Sequence, residues 1–144
     1  MASLETPVCD FGWKAIDFDL LGVDGKRHSL ASAKGENGLL VMFICNHCPY
    51  VKAVQDRIIR DVNELKSHGI NAIAIMSNDP ADYPEDSFEN MALIANKLNY
   101  PFPYVWDADG KDATLKRAGY RTTVSTSLAG KPVAIEYAVP NVNQ

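Results

Sequence analysis

The chain has little that would take it to a nucleic acid or into a membrane. Lys and Arg number 14 against 18 Asp and Glu, giving a net charge of -4 and a pI near 5.3, and the basic residues do not gather anywhere. Nucleic-acid binding normally needs a basic stripe, so none is expected. No apolar run approaches the ~18 residues of a membrane span. The opening MASLETPVCDFGW has neither a basic start nor an apolar stretch, so a secretory signal is not expected and a cytoplasmic location is. Repeats, low-complexity tracts and linkers rich in Gly, Pro or Ser are also missing. One domain over residues 1–144 is therefore the expectation, and a chain of this length buries about two-thirds of its unfolded surface.

Cysteine and histidine are scarce too. His28, His47 and His68 are scattered, and the three cysteines are Cys9, Cys45 and Cys48. In a reducing compartment a close cysteine pair is more often catalytic or metal-binding than a structural staple. Cys9 stands apart and reads as a free thiol or a small core residue.

What the chain does have is apolar segments with two distinct periods. Residues 15–30, AIDFDLLGVDGKRHSL, read as a β-hairpin or edge ribbon, with Ile16, Phe18 and Leu20 alternating with acids and Asp24-Gly25 at the turn. Asn37-Gly38 marks a second turn. Residues 39–44 are a short continuous apolar run, as expected of a strand covered on both faces. The period then changes: Val51, Val54, Ile58, Val62 and Leu65 form a helical stripe, and Gly69 after His68 suits the position just past the helix end. Residues 70–76, INAIAIM, are a second buried strand. Strand, helix and strand in this order make a βαβ unit with parallel pairing and a right-handed crossover. A loop through Asn78-Asp79-Pro80 and Tyr83-Pro84 leads to a second helix, with Phe88, Met91, Ala95 and Leu98 on one face and Asp86 and Glu89 as its capping box. Residues 100–106, YPFPYVW, read as a short edge strand because of their two prolines. Residues 113–118 suggest a short helix and 133–139 a strand. The class is α/β, a mixed sheet flanked by helices with an N-terminal hairpin.

In a βαβ unit function collects where strands end and helices begin. Cys45-Asn46-His47-Cys48 lies at that junction, with Cys45 expected at an exposed tip and Cys48 in the first helical turn. Residues three apart share a helix face, so the two sulfurs can approach each other. Unpaired N–H groups and the partial positive charge of a helix start stabilise a thiolate, the attacking species. Cys45 would then be the nucleophile and Cys48 the resolving thiol. His47, if cationic, would favour the reduced pair and make its disulfide more oxidising. Pro49 is tolerated in the first turn, where a backbone N–H has no intrahelical partner.

Two plainer readings stand beside this one. Both cysteines can be inert core residues. A zinc site needs about four ligands, and His47 between two sulfurs is cramped, so no metal and no cofactor is expected. Asp82, Glu85, Asp86 and Glu89 form an acidic patch that reads as a solvated loop and cap. Ser77, Asn78 and Asp79 end a strand on the cysteine side, either bordering a groove or simply forming a polar loop. Tyr50 has no assigned role.

At these residues the chain resembles the thioredoxin-like superfamily, and within it the redoxin branch related to alkyl hydroperoxide reductase and thiol-specific antioxidant proteins. The blocks that carry the resemblance are DGKRHSL, LLVMFICNHCPYV, KAVQDRIIRDVNEL, INAIAIMSND and YPFPYVWD, within residues 7–107. The resemblance implies a thioredoxin-like fold, a redox-active Cys45/Cys48 pair and disulfide exchange with a thiol protein as substrate or electron donor. It also leaves open peroxide reduction, with Cys45 forming a sulfenic acid and Cys48 or Cys9 resolving it. A third reading is a protein that holds a soft metal such as Cu(I), or senses redox state, through the same cysteines.

Two positions depart from the family pattern. Met42 stands where typical peroxiredoxins carry Thr, three residues before the reactive cysteine, which tells against peroxidase chemistry. The family's cis-proline is expected near Thr122-Thr123-Val124, where this chain has none. The atypical tail over residues 108–144, including SLAGKPVAIEYAVPNVNQ, is similar to the family's C-terminal helix and extension. That points to a segment missing between Trp106 and Gly110; in the rival reading Pro132 is the cis-proline.

Overall fold

A computed structural model of the chain describes Ala15 and residues 17–107. Its centre is a parallel pair, β3 (Gly38–Phe43) and β4 (Ile70–Met76), in register from Gly38↔Ile70 to Phe43↔Ile75. Both strands are apolar apart from Asn71 because both faces of the sheet are covered. Alternation divides them cleanly. Met42, Ala72, Ala74 and Met76 belong to one buried cluster, and Leu39, Val41, Phe43, Ile73 and Ile75 to another on the opposite face.

The first face is covered by two helices. α2 (Pro49–Ser67) buries Val51, Ile58 and Val62, and α3 (Phe88–Leu98) adds the fully buried Met91 with Phe88 and Ala95 packed around it. α2 ends as expected: His68 is its C-cap, and Gly69 takes φ 76, a conformation that costs a side chain-bearing residue energy. The opposite face is closed by the short α1 (Leu30–Ala33) through Ala33, and by Phe18.

The sheet is completed by β5 (Tyr104–Trp106), parallel to β4 and antiparallel to β1 (Leu20–Gly22), which in turn pairs with β2 (Arg27–His28). The order is β2-β1-β5-β4-β3, a mixed sheet flanked by helices, as the sequence suggested. No helix among the described residues is long and apolar enough to cross a membrane.

Three local expectations are corrected. The ribbon is shorter than residues 15–30, because side-chain oxygens take the backbone donors flanking it. Asp17 Oδ1 accepts from Phe18 N and Leu30 N, both at 2.9 Å, and Leu30 opens α1. β5 is an interior strand and not an edge. Pro101 and Pro103 precede its paired residues, and Pro103 contributes only its carbonyl, to Ala74 N at 3.0 Å. α3 is capped by Ser87, whose side chain accepts from Asn90 N at 3.2 Å, not by Asp86. Ile16, Cys9, the expected elements at 113–118 and 133–139, Thr122-Thr123-Val124, Pro132 and the proposed missing segment lie outside the described residues.

Candidate active site

Cys45 follows the end of β3, and Cys48 is the N-cap of α2 rather than part of its first turn. Pro49 opens the helix, at the position where a missing N–H costs nothing. Neither cysteine is in a disulfide and both are buried, Cys45 to 4% and Cys48 to 1% exposure. The expected exposed tip is therefore not there. The connection between β4 and α3 packs against the motif and covers it.

Asp86 is the reason. It ends a 3-10 turn (Pro84–Asp86), is completely buried, and accepts four hydrogen bonds. Its Oδ1 receives Asn46 N at 2.8 Å and His47 N at 3.2 Å; its Oδ2 receives His47 Nδ1 at 2.6 Å and Asn78 Nδ2 at 2.8 Å. Two of these donors are main-chain groups between the cysteines, so one carboxylate sets the path of the whole Cys-x-x-Cys loop. A carboxylate accepts only, which places the proton of that contact on His47 Nδ1. The imidazole also stacks on Tyr83, with ring centroids 5.0 Å apart and planes at 9°.

Asn46 is held equally firmly. Its Nδ2 donates to Glu85 O at 3.1 Å, and its Oδ1 accepts the Tyr104 hydroxyl at 2.9 Å. At the end of β4, Ser77 Oγ donates to Asp107 Oδ2 at 3.4 Å while Asn78 serves Asp86. The acidic patch thus splits. Asp82, Glu85 and Glu89 are not buried, and Asp86 is the anchor of the site.

The electrostatics reverse one expectation. The hydrogen bond between Cys45 and Cys48, burial, and the nearby negative charge of Asp86 all push the Cys45 thiol well above its ordinary pKa. The backbone N–H of Cys48, at the N-cap of α2, pulls the other way but is outweighed. In this geometry the Cys45 thiol is favoured over its thiolate.

Sequence reasoning missed Asp86 and Asn46, and understated Asn78. A buried acid leaves no periodic signal. The only hint was an Asp within a short Pro-containing turn following the strand that runs beside β3. One sulfur of Cys45, one ring nitrogen of His47 and one carboxylate oxygen of Asp86 lie within 4.8 Å of one another. Such a constellation can exchange disulfides, pass a proton, or hold a cation.

Comparisons with known proteins bear on the family and the fold of the chain. Residues 11–134 match the model of the AhpC/TSA family. An uncharacterized conserved protein from Geobacillus kaustophilus is similar at 41% identity, with TM-score 0.74, over 82% of this chain and 63% of its own. A hypothetical protein from Sinorhizobium meliloti is similar at 32% identity, with TM-score 0.67, over 71% of this chain and 56% of its own. This chain therefore spans less than two-thirds of the length of either. An uncharacterized thioredoxin-like protein from Bacteroides vulgatus shares the fold, with TM-score 0.60 at 22% identity over 85% of this chain and 74% of its own. No curated protein matches.

Proposed function

Because this chain belongs to the AhpC/TSA family and has the thioredoxin-like fold, we propose that it is a thiol–disulfide oxidoreductase working through Cys45 and Cys48 as one domain over residues 1–144. The observation that carries this reading is the reduced, hydrogen-bonded cysteine pair at the junction of β3 and α2. Its substrates would be disulfides of other proteins, its electrons would come from a thiol protein, and the cytoplasm is the compartment that suits it.

The cycle balances as a two-electron exchange. Cys45 passes its proton to the imidazole of His47, a ring nitrogen of which lies within 4.8 Å of the sulfur. The Cys45 thiolate attacks one sulfur of a substrate disulfide, forming a mixed disulfide and releasing the first substrate thiolate, which takes up a proton. Cys48 then attacks Cys45, releases the second substrate thiol and leaves a Cys45–Cys48 disulfide. The substrate is reduced, the pair is oxidised, and the donor protein's dithiol restores it. His47 and Asp86 follow the order base and orienting carboxylate familiar from other activated nucleophiles. The raised Cys45 pKa makes that assistance necessary.

The test is a disulfide-reductase assay on the parent, Cys45→Ser and Cys48→Ser, with a peroxide-consumption assay alongside. Cys45→Ser is expected to be inert, and Cys48→Ser to accumulate a mixed disulfide visible by mass. Full activity in Cys45→Ser sinks the assignment. Peroxide consumption outpacing disulfide reduction, with sulfenic acid trapped on Cys45, replaces it by thiol peroxidase.

A further inference from the structure

The fold supplies what the motif alone lacked for a closed metal site, a fourth ligand. Cys45, His47 and Asp86 present donor atoms within 4.8 Å of one another, and Cys48 is hydrogen bonded to Cys45. We propose that the reduced protein binds one Zn²⁺ through the thiolates of Cys45 and Cys48, an imidazole nitrogen of His47 and a carboxylate oxygen of Asp86.

The dimensions suit the ion. Zinc takes sulfur at about 2.3 Å and nitrogen or oxygen at about 2.0–2.2 Å in a tetrahedron, whose edges are then ~3.3–3.8 Å. The donor atoms of the triad lie within 4.8 Å of one another, so none needs to close by more than about 1.5 Å, and the 2.6 Å contact between His47 Nδ1 and Asp86 Oδ2 needs to open by less than that. A cation placed there replaces a shared proton with a shared metal. The supporting contacts are already built: Asn46 N and His47 N hold Asp86 Oδ1, and Asn78 Nδ2 holds Oδ2. Ligating carboxylates are normally steadied in this way by hydrogen-bond donors. Burial of both cysteines and of Asp86 keeps competing water out.

Charge and donor type select the class of metal. Two thiolates and a carboxylate carry three negative charges, which a divalent ion leaves at minus one. Cu(I) is satisfied by two thiolates and has no use for the carboxylate, whereas a borderline ion such as zinc accepts sulfur, nitrogen and oxygen together. Dependence on Asp86 therefore separates a built four-ligand site from simple chelation by a dithiol. Oxidation of the pair would remove two ligands at once, so metal and disulfide would exclude each other. That exclusion rests on the dithiol reading above; the binding itself does not.

The experiment titrates the Cys9→Ser variant of the 144-residue chain, reduced and metal-free, with Zn²⁺ against a chromogenic chelator, and records the Co²⁺ spectrum. One ion per chain is expected, with Co²⁺ giving intense tetrahedral bands and thiolate charge transfer, and none after oxidation to the disulfide. His47→Ala and Asp86→Asn are each expected to weaken zinc at least tenfold, with folding of both followed by circular dichroism. No zinc binding, or loss of less than tenfold in either folded variant, overturns the proposal. If Asp86→Asn does not fold, His47→Ala and the tetrahedral Co²⁺ spectrum of the parent decide it. A parent that binds zinc but reduces no disulfide refutes the proposed activity and leaves the metal site standing; the converse result refutes the metal site alone.

Discussion

At the scale of single residues, Asp86 concentrates four donors on one buried carboxylate beside a thiol it discourages from ionising. Two opposite effects follow from Asp86→Asn. Removing the charge lowers the Cys45 pKa toward its ordinary value, and while the thiol stays mostly protonated a pKa lower by about one raises the thiolate fraction roughly tenfold. Alkylation of Cys45 at neutral pH should therefore speed up, and the Cys45–Cys48 disulfide should become more oxidising, as a redox titration against glutathione would register. The amide, however, offers one acceptor oxygen where the carboxylate offered two. Each buried donor left without a partner costs about 1–3 kcal/mol, so the urea midpoint should fall in the same variant. Faster alkylation together with lower stability is the signature of a group that is both anchor and electrostatic brake. Slower alkylation would contradict the assigned influence of Asp86.

At the scale of elements, the site depends on how α3 is held. The 3-10 turn carrying Asp86 is separated from α3 only by Ser87, so the packing of the helix fixes the position of the carboxylate. Met91→Ala empties a fully buried position between α3 and the sheet and is expected to cost about 2–5 kcal/mol in urea unfolding. Ser87→Ala removes the helix cap and should cost about 1 kcal/mol, with little change in the reactivity of Cys45. The contrast between the two neighbours matters. Read as a sequence, Asp86 and Glu89 resembled a capping box; in the fold Ser87 takes the cap and Asp86 is released to turn inward. The helices and strands themselves were legible because each has a period. Val51, Ile58 and Val62 lie buried as their spacing suggested, and β4 spans Ile70–Met76 as expected. The prolines of residues 100–106 suggest an edge, but they precede the paired residues of β5 and leave both of its sides free to pair.

At the scale of the whole molecule, the buried tyrosine beneath the motif ties the site to global stability. Burial holds the Tyr104 phenol neutral and raises its pKa well above the ordinary value, and its hydroxyl donates to Asn46. In the unfolded chain a tyrosine ionises near ~10, so above that pH the unfolded state loses a proton that the folded state keeps. Stability is full below about pH 10 and falls as pH rises from there toward the folded pKa, by at most about 1.4 kcal/mol for each step of one in pH. Urea unfolding between about pH 9 and 11 should show that decline, and Tyr104→Phe should make it shallower, the raised pKa of Tyr100 accounting for part of the remainder.

By itself the sequence determined the layers, the βαβ unit, the place of Cys45-Asn46-His47-Cys48 at a strand-to-helix junction and the proline at the first helical turn. Local periodicity and local backbone rules suffice for these, since each is decided by residues a few positions apart. Only the tertiary structure decided that both sulfurs are buried, that Cys45 keeps its proton, and that Asp86, Asn78 and Tyr104 belong to the site. The places of Asp86, Asn78 and Tyr104 come from contacts between residues 8 to 58 positions apart. A buried carboxylate is stable only where several distant donors converge on it, and that convergence is a property of the packed fold rather than of any stretch of chain.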